Sequence, residues 1–290
     1  MKDNPSQFYI NEDGKTKCLI CPHFCILLEN QHGKCRVRQG EKESIKLCNY
    51  GQLVCASVDT IRKRPIYLWP DDNISSLSVG LTGCNNFCPF CQNHMVSQTK
   101  KWADHKFYSP KDLIEKAKFL NVDFISFTYT EPIVWMEYFL DVSSLAKKNK
   151  LKVCVKSAGY ISEGMYDIFS QNIDAINVDI KPMSEEYQKL CGINKPQAVW
   201  DFLGHLWKKR IHVEISHIII EGVNDTFSAI QSFIDKLKET IEDEEMGIHL
   251  LRHYPAWKSN YRMTSDETLE RCKKQVLDYG YKNVYIDDVG

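Results

Sequence analysis

From Ile74 onward the chain alternates short apolar runs with amphipathic helical stretches, a rhythm that few folds accept. The runs are ISSLSVGL at 74–81, VDFISFTY at 122–129, LKVCV at 151–155, AINVDI at 175–180, HVEISHIII at 212–220, GIHLL at 247–251 and VYI at 284–286. Between them, Ser109-Pro110 offers an N-cap and a first-turn proline ahead of Leu113, Ala117 and Leu120 on one helical face. Further helical periods carry Val134, Tyr138, Val142 and Leu145, then Val199, Phe202, Leu203 and Leu206. Phe227, Ile230, Ile234 and Leu237 follow, and the last helix carries Leu269, Cys272, Val276 and Leu277. Repeated strand–helix units build a parallel sheet covered by helices. About six of them predict an α/β fold, a partial (β/α)6 TIM-like barrel spanning residues 71–290. In such a barrel the working groups collect at the carboxyl ends of the strands. Those ends carry Cys84, Thr130-Glu131, Lys156-Ser157, Asp179 to Lys181, Glu221-Gly222 and Arg252-His253, most of them polar or charged.

The first 70 residues read differently: rich in Cys, Gly, Lys and short turns, they form a small Cys-rich, metal-binding region. Of the twelve cysteines in 290 residues, nine fall before residue 92. A secreted disulfide scaffold would be short and would open on an export signal, whereas MKDNPSQFYI has no apolar core. No stretch approaches the ~20 apolar residues of a membrane span. The expectation is a cytoplasmic protein with no membrane partner, whose clustered thiols bind metal or do chemistry. Cys154, Cys191 and Cys272 stand apart and read as small buried apolar residues. With 37 basic and 38 acidic residues the net charge is −1, so a nucleic-acid partner is not expected.

The densest chemistry lies in Gly83-Cys84-Asn85-Asn86-Phe87-Cys88-Pro89-Phe90-Cys91-Gln92-Asn93. Three thiolates at C-x3-C-x2-C on a loop after a strand suit three irons of a cubane cluster. The missing fourth cysteine leaves one iron open. A zinc site completed from elsewhere, for example by His94, is the alternative on spacing alone.

This arrangement, with the aromatic Phe90 just before the third cysteine, resembles the signature of the radical S-adenosylmethionine (SAM) superfamily. CLICPHFC, GKCRVR, GCNNFCPFCQN, FTYTEP, NVDIKP, IIIEGVND and VYIDDVG extend the likeness over nearly the whole chain. Together they look like the radical SAM member of the AmmeMemoRadiSam system, close to the pyruvate formate-lyase activating enzymes. The resemblance implies a [4Fe–4S] cluster on Cys84, Cys88 and Cys91, whose open iron chelates SAM. It also implies an electron donor such as flavodoxin or ferredoxin. One electron then yields a 5′-deoxyadenosyl radical, which abstracts hydrogen from a substrate, a protein glycine in the activating enzymes.

By the same resemblance, Tyr129, Thr130 and Glu131 sit where backbone oxygens and a carboxylate receive the ammonium of SAM's methionine moiety. The family's two glycines are absent here, so Tyr129 and Thr130 carry over a backbone role only; for Glu131 a helix N-terminal carboxylate is the alternative, with the site reading favoured over it. Asp179 and Lys181 correspond to a pair near the methionine carboxylate; a structural ion pair is the alternative. Lys156 departs from the family, whose aspartate at that strand end helps hold a monovalent cation. A lysine there would supply the positive charge itself. Phe90 is placed near adenine. Tyr254 stands where the family more often has a histidine, with His253 shifted by one, and His253 is left outside the catalytic set.

Cys18, Cys21, Cys25 and Cys35 form a second group suited to a closed site of four thiolates, zinc or an auxiliary iron–sulfur cluster. Cys48 and Cys55 could replace a ligand of this set, and His23 and His32 are weaker candidates. A region with so little core has a reason to use a metal staple. The rivals to a radical enzyme that the sequence leaves standing are a zinc-bound scaffold without chemistry, and radical modification of a peptide, small molecule or RNA.

Overall fold

A computed structural model of the chain describes residues 7–12, 15–71, 74–101 and 105–287. The amino-terminal region holds a small antiparallel sheet of β1 (Tyr9–Glu12), β2 (Lys15–Cys18) and β3 (Ile26–Leu27), then a hairpin of β4 (Arg38–Gly40) and β5 (Ile45–Leu47). The nine-residue β6 (Gln52–Thr60) leaves this region and pairs antiparallel with β7 (Ser75–Leu81), from Leu53 against Leu81 to Thr60 against Ser75. Where the sequence pattern promised only turns before residue 70, the structure has a long strand. Its outer half alternates half-buried and exposed residues, and its conformation comes from pairing with β7 rather than from an apolar stripe.

The barrel follows the expected rhythm. After β7 come α1 (His94–Ser97), the short β8 (Lys106–Phe107), α2 (Pro110–Phe119), β9 (Phe124–Phe127) and α3 (Met136–Lys148). Next are β10 (Lys152–Ser157), α4 (Tyr166–Ser170), β11 (Ala175–Ile180), α5 (Glu185–Leu190), α6 (Gln197–Lys208) and β12 (His212–Ile219). The chain closes with α7 (Phe227–Thr240), β13 (Gly247–Arg252), α8 (Asp266–Asp278) and β14 (Asn283–Asp287). Strands β7, β9, β10, β11, β12, β13 and β14 are parallel neighbours in that order, with β6 and β8 on the β7 edge, so the sheet is an open, partial barrel. Helices cover its outside. Phe124, Ile125, Phe127, Val153, Val155, Ile176 and Val178 are therefore fully buried, as strands covered on both faces require.

Local chemistry sets the helix starts. Ser109 and Asp112 form a reciprocal capping box, with Pro110 in the first turn of α2. Thr226 and Ser265 cap α7 and α8. Glu131 accepts from the Ile133 N–H and starts a 3-10 turn over Pro132–Trp135, so α3 begins at Met136 rather than at Val134.

The connection from β6 to β7 crosses the amino-terminal end of the barrel. Trp69 packs on Phe124 and His212, the first residues of β9 and β12, with the Lys152 ammonium over its ring at 4.6 Å. Asn177 of β11 donates to the Pro65 carbonyl at 2.9 Å. This crossing closes the lower end of the barrel, leaving a cavity toward the carboxyl ends of the strands. Among the described residues no helix is long and apolar enough to cross a membrane.

Candidate active site

β7 delivers the chain to Gly83, whose φ of +93° is open to glycine and costly for other residues. Cys84, Cys88 and Cys91 follow on the loop that leads into α1, and all three line one cavity of about 650 Å³. The Asn86 N–H lies 3.3 Å from the Cys84 sulfur, and Ser97 Oγ lies 3.4 Å from that of Cys91. Burial pushes the Cys84 and Cys91 thiols up, while the neighbouring Cys191 thiol pulls Cys88 down, with Lys181 helping. Among the described residues no three Cys, His, Asp or Glu side chains converge on a common point at ligand distance. A cysteine, however, redirects its sulfur by a single χ1 step between staggered wells.

The donor set fits a cubane held by three thiolates. So does the cavity beside it. Asn86 Nδ2 and Oδ1, Gln98 Oε1 and Asp179 Oδ1 are buried without a hydrogen-bond partner, and Asn86, Gln98 and Asp179 all line this space. Buried polar atoms of this kind favour a polar ligand.

The strand ends named from sequence meet at the same cavity: Phe90, Tyr129, Thr130, Glu131, Lys156, Asp179 and Lys181 all line it. Glu131 is 2% exposed. Its carboxylate accepts from Ser157 Oγ at 2.7 Å, the Ala158 N–H at 2.9 Å and the Ile133 N–H at 3.3 Å, which ties the ends of β9 and β10 together. Burial raises its pKa to about 7 against the pull of these donors, so a cation arriving beside it would favour the ionised form. Thr130 Oγ1 donates to the Leu81 carbonyl. Tyr129 adopts φ +67° and turns its ring toward β6, where its hydroxyl meets Ser57 Oγ at 2.8 Å and Arg64 stacks over the ring. Gly80 permits this crossing, because a Cβ there would sit 2.8 Å from the Thr128 carbonyl oxygen.

Asp179 and Lys181 form an ion pair at 2.9 Å. Burial opposes both charges, yet each stabilises the other: Asp179 is held low by Lys181 and Lys156, and Lys181 is held high by Asp179 and Cys88. The Lys156 ammonium donates to Asn177 Oδ1 at 3.0 Å and Ser216 Oγ at 3.3 Å, and burial lowers its pKa to about 8. Phe90 stacks on Tyr187 with centroids 5.9 Å apart and meets the His253 edge. His253 is fully buried, bonded through Nδ1 to the Arg262 carbonyl and through Nε2 to Ser259, which is a structural role.

Two groups escaped the sequence reading. Cys191 is buried as expected, but its thiol lies beside that of Cys88 and lowers the latter's pKa, and the Cys191 carbonyl accepts from the Phe87 N–H at 2.8 Å. Nothing in the spacing of residues about a hundred positions apart signals that contact. On the far wall, Tyr67 and Asp287 line the cavity and hydrogen-bond each other. Asp287 meets His249 Nδ1 at 2.5 Å, and His249 Nε2 meets Glu214 at 2.8 Å, with His212 and the Leu68 N–H on the other Glu214 oxygen. Burial works against the Glu214 charge, but His212 and His249 hold it at about 2. Polar residues on successive strands, His212 and Glu214 on β12 with His249 on β13, were the available signal.

Cys18, Cys21, Cys25 and Cys35 surround a second void of about 10 Å³, together with His23, Arg38 and apolar walls. Cys48 lies apart, within 3.5 Å of Gln39, and Cys55 sits on β6 beside Tyr129.

Three comparisons bear on this site. The sequence pattern described as the Radical SAM superfamily matches residues 79–237. An uncharacterized protein of Methanocaldococcus jannaschii is 30% identical over 281 residues, covering 96% of this chain and 83% of that protein. The pyruvate formate-lyase-activating enzyme of Clostridium pasteurianum is 23% identical over 208 residues, covering 68% of this chain and 85% of that enzyme. Among solved structures, a radical SAM methyltransferase from Sphaerobacter thermophilus shares the fold over 99% of this chain and 77% of that one, with a TM-score of 0.58 at 12% identity. Streptococcus suis SuiB bound to S-adenosylmethionine shares it over 79% and 53%, with a TM-score of 0.55 at 15% identity.

Proposed function

The chain belongs to the radical SAM superfamily, and on that premise we propose that it cleaves SAM reductively and uses the resulting radical to abstract hydrogen from a substrate. One observation carries the reading: the three thiols of the Cys84 loop and the strand-end charges Glu131, Lys156, Asp179 and Lys181 line a single cavity. When bound, a [4Fe–4S] cluster supplies one electron to the sulfonium of SAM, giving methionine and a 5′-deoxyadenosyl radical.

The chain's own groups bind and orient. Cys84, Cys88 and Cys91 would hold the cluster, and the loop supplies no fourth cysteine to complete the set. Glu131, ionised by the cation, faces the ammonium of the methionine moiety beside the backbone of Thr128, Tyr129 and Thr130. Asp179 orients Lys181, and Lys181 with Lys156 faces the carboxylate, Lys156 taking the place of a cation site. Phe90, braced by Tyr187, packs against the adenine. A flavodoxin- or ferredoxin-like protein supplies the electron. Similarity to an activating enzyme favours a protein glycine as the hydrogen donor, which would make the chain an oxidoreductase of the activase type.

Anaerobic reconstitution tests this. A brown, reducible protein that releases 5′-deoxyadenosine from SAM, with both properties lost in Cys88→Ala, is the expected result. A colourless protein that leaves SAM intact under reducing, oxygen-free conditions would overturn it in favour of a metal-bound scaffold. Deuterated substrate candidates then identify the target by label transfer into 5′-deoxyadenosine. Activity that needs added potassium and survives Lys156→Ala would remove Lys156 from the carboxylate.

A further inference from the structure

The four amino-terminal cysteines take no part in the chemistry above, and none of the residues around their void lines the large cavity. Their surroundings are nonetheless built for thiolates. The Lys34 N–H points at the Cys25 sulfur at 3.5 Å. A neutral thiol is a weak acceptor and gains little from such a donor, whereas a metal-bound thiolate carries charge that the donor stabilises. The sulfurs of Cys25 and Cys35 flank Gly33, where a Cβ would stand 3.6 Å from one and 3.7 Å from the other. The Arg38 guanidinium lies beside Cys18 and Cys35 and offsets their negative charge.

As at the barrel loop, no three of these sulfurs converge at ligand distance until χ1 steps gather them, and the space between them bears on what they can then hold. About 10 Å³ is near the least space that admits a single water-sized body. A cubane brings four irons and four sulfides and needs far more room. Ile20, Leu27, Phe24 and Val134 supply apolar walls to the void, which His23 also lines. We propose that Cys18, Cys21, Cys25 and Cys35 hold one zinc ion in a closed tetrahedral site, and that this site braces the cluster loop.

The brace is visible in contacts. A Cβ on Gly83 would lie 2.5 Å from Val37 Cγ1 and 2.8 Å from the Cys35 carbonyl oxygen, so the chain around Cys35 presses directly on the residue before Cys84. His23 Nε2 meets the Asn85 carbonyl at 2.8 Å, and the Arg36 guanidinium stacks over Phe87 at 5.0 Å. When the ion binds, the two turns carrying Cys21 and Cys35 become fixed, and the loop between Cys84 and Cys88 is fixed with them.

Metal counting on the full chain, purified and reconstituted without oxygen, decides this without adding SAM. The expected result is about one zinc and about four irons per chain. Cys21→Ser and Cys35→Ser should each lose the zinc, while Cys88→Ala should keep it and lose the cluster iron. About eight irons and no zinc would overturn the proposal in favour of a second cluster, and about five irons without zinc in favour of a single iron. Zinc retained in both serine variants would overturn it as well. If neither variant folds, the wild-type zinc and iron counts decide between these outcomes alone. Because these readings do not involve SAM, a barrel that proved inactive would leave them unchanged.

Discussion

Two groups of cysteines lie side by side in this molecule, and their walls differ more than their ligands do. The amino-terminal four enclose a void of about 10 Å³ with apolar neighbours and a buried Arg38–Glu137 ion pair at 2.5 Å behind them. The barrel three face about 650 Å³ lined by Lys156, Asp179, Lys181 and Glu131. Four thiolates in a closed shell satisfy a metal completely and leave it inert, while three thiolates on an open wall leave a position for chemistry. The difference teaches that ligand count means little until the space beyond the ligands is known.

The contrast breaks most visibly through the open group. Cys88→Ala removes one of three ligands and the partner of Cys191, and should lower 5′-deoxyadenosine formation by more than about a thousandfold, the scale of losing an essential member of a concerted site. Retention of a tenth of the activity would show that another thiol, Cys191 first among them, substitutes. The closed side should instead fail through stability. Glu137→Ala removes the carboxylate paired with the buried Arg38 guanidinium, which keeps the Val134 carbonyl and the neighbouring Cys18 and Cys35 sulfurs, at a cost of about 2–3 kcal/mol in urea unfolding. A loss below about 1 kcal/mol would mean that the region relaxes enough to hydrate Arg38, and that its walls open to water.

A smaller effect separates binding from folding within the open site. Lys156→Met should weaken SAM binding about tenfold, equivalent to about 1.4 kcal/mol, with little change in cluster content. Because burial brings the Lys156 pKa down to about 8, wild-type affinity for SAM should also fall as pH rises through that value, and the variant should lack this dependence. Titration calorimetry across pH 7 to about 9 reads both. An unchanged profile would mean that Asp179 and Lys181 bind the carboxylate without it.

Much of this was legible from the chain, for physical reasons that particular residues make clear. Strands β9, β10 and β11 are legible because helices bury their outer faces and the barrel interior buries their inner ones, which forces continuous runs such as VDFISFTY and LKVCV. Polar groups at Glu131, Lys156, Asp179 and Lys181 could be placed together because parallel strands deliver their carboxyl ends to one side. β6 was invisible, since its shape depends on a partner strand rather than on its own pattern. Cys191 was assigned correctly to the interior, but its meeting with Cys88 depends on how α5 returns over the loop. Sequence also left zinc and a second cluster open, because spacing fixes ligands and not the volume between them.

The far wall of the open cavity gives the smallest and most selective effect. His249 lies fully buried between Asp287 and Glu214; burial disfavours its charge, but its hydrogen bonds to both carboxylates raise its pKa above the ordinary 6.5. A histidine with a raised folded pKa adds stability that is fully present below about 6.5 and is lost as pH rises through the folded value. His249→Gln keeps a donor for one carboxylate only, while Tyr67, His212 and the Leu68 N–H still serve both. The substitution should cost about 1 kcal/mol at about pH 6 and less at higher pH, as the wild type loses its own imidazolium contribution. Urea unfolding at a series of pH values reads the convergence of the two proteins. A constant difference between them would show that His249 acts there as a neutral hydrogen-bonding group and that its imidazole contributes no titrating charge to the far wall of the cavity.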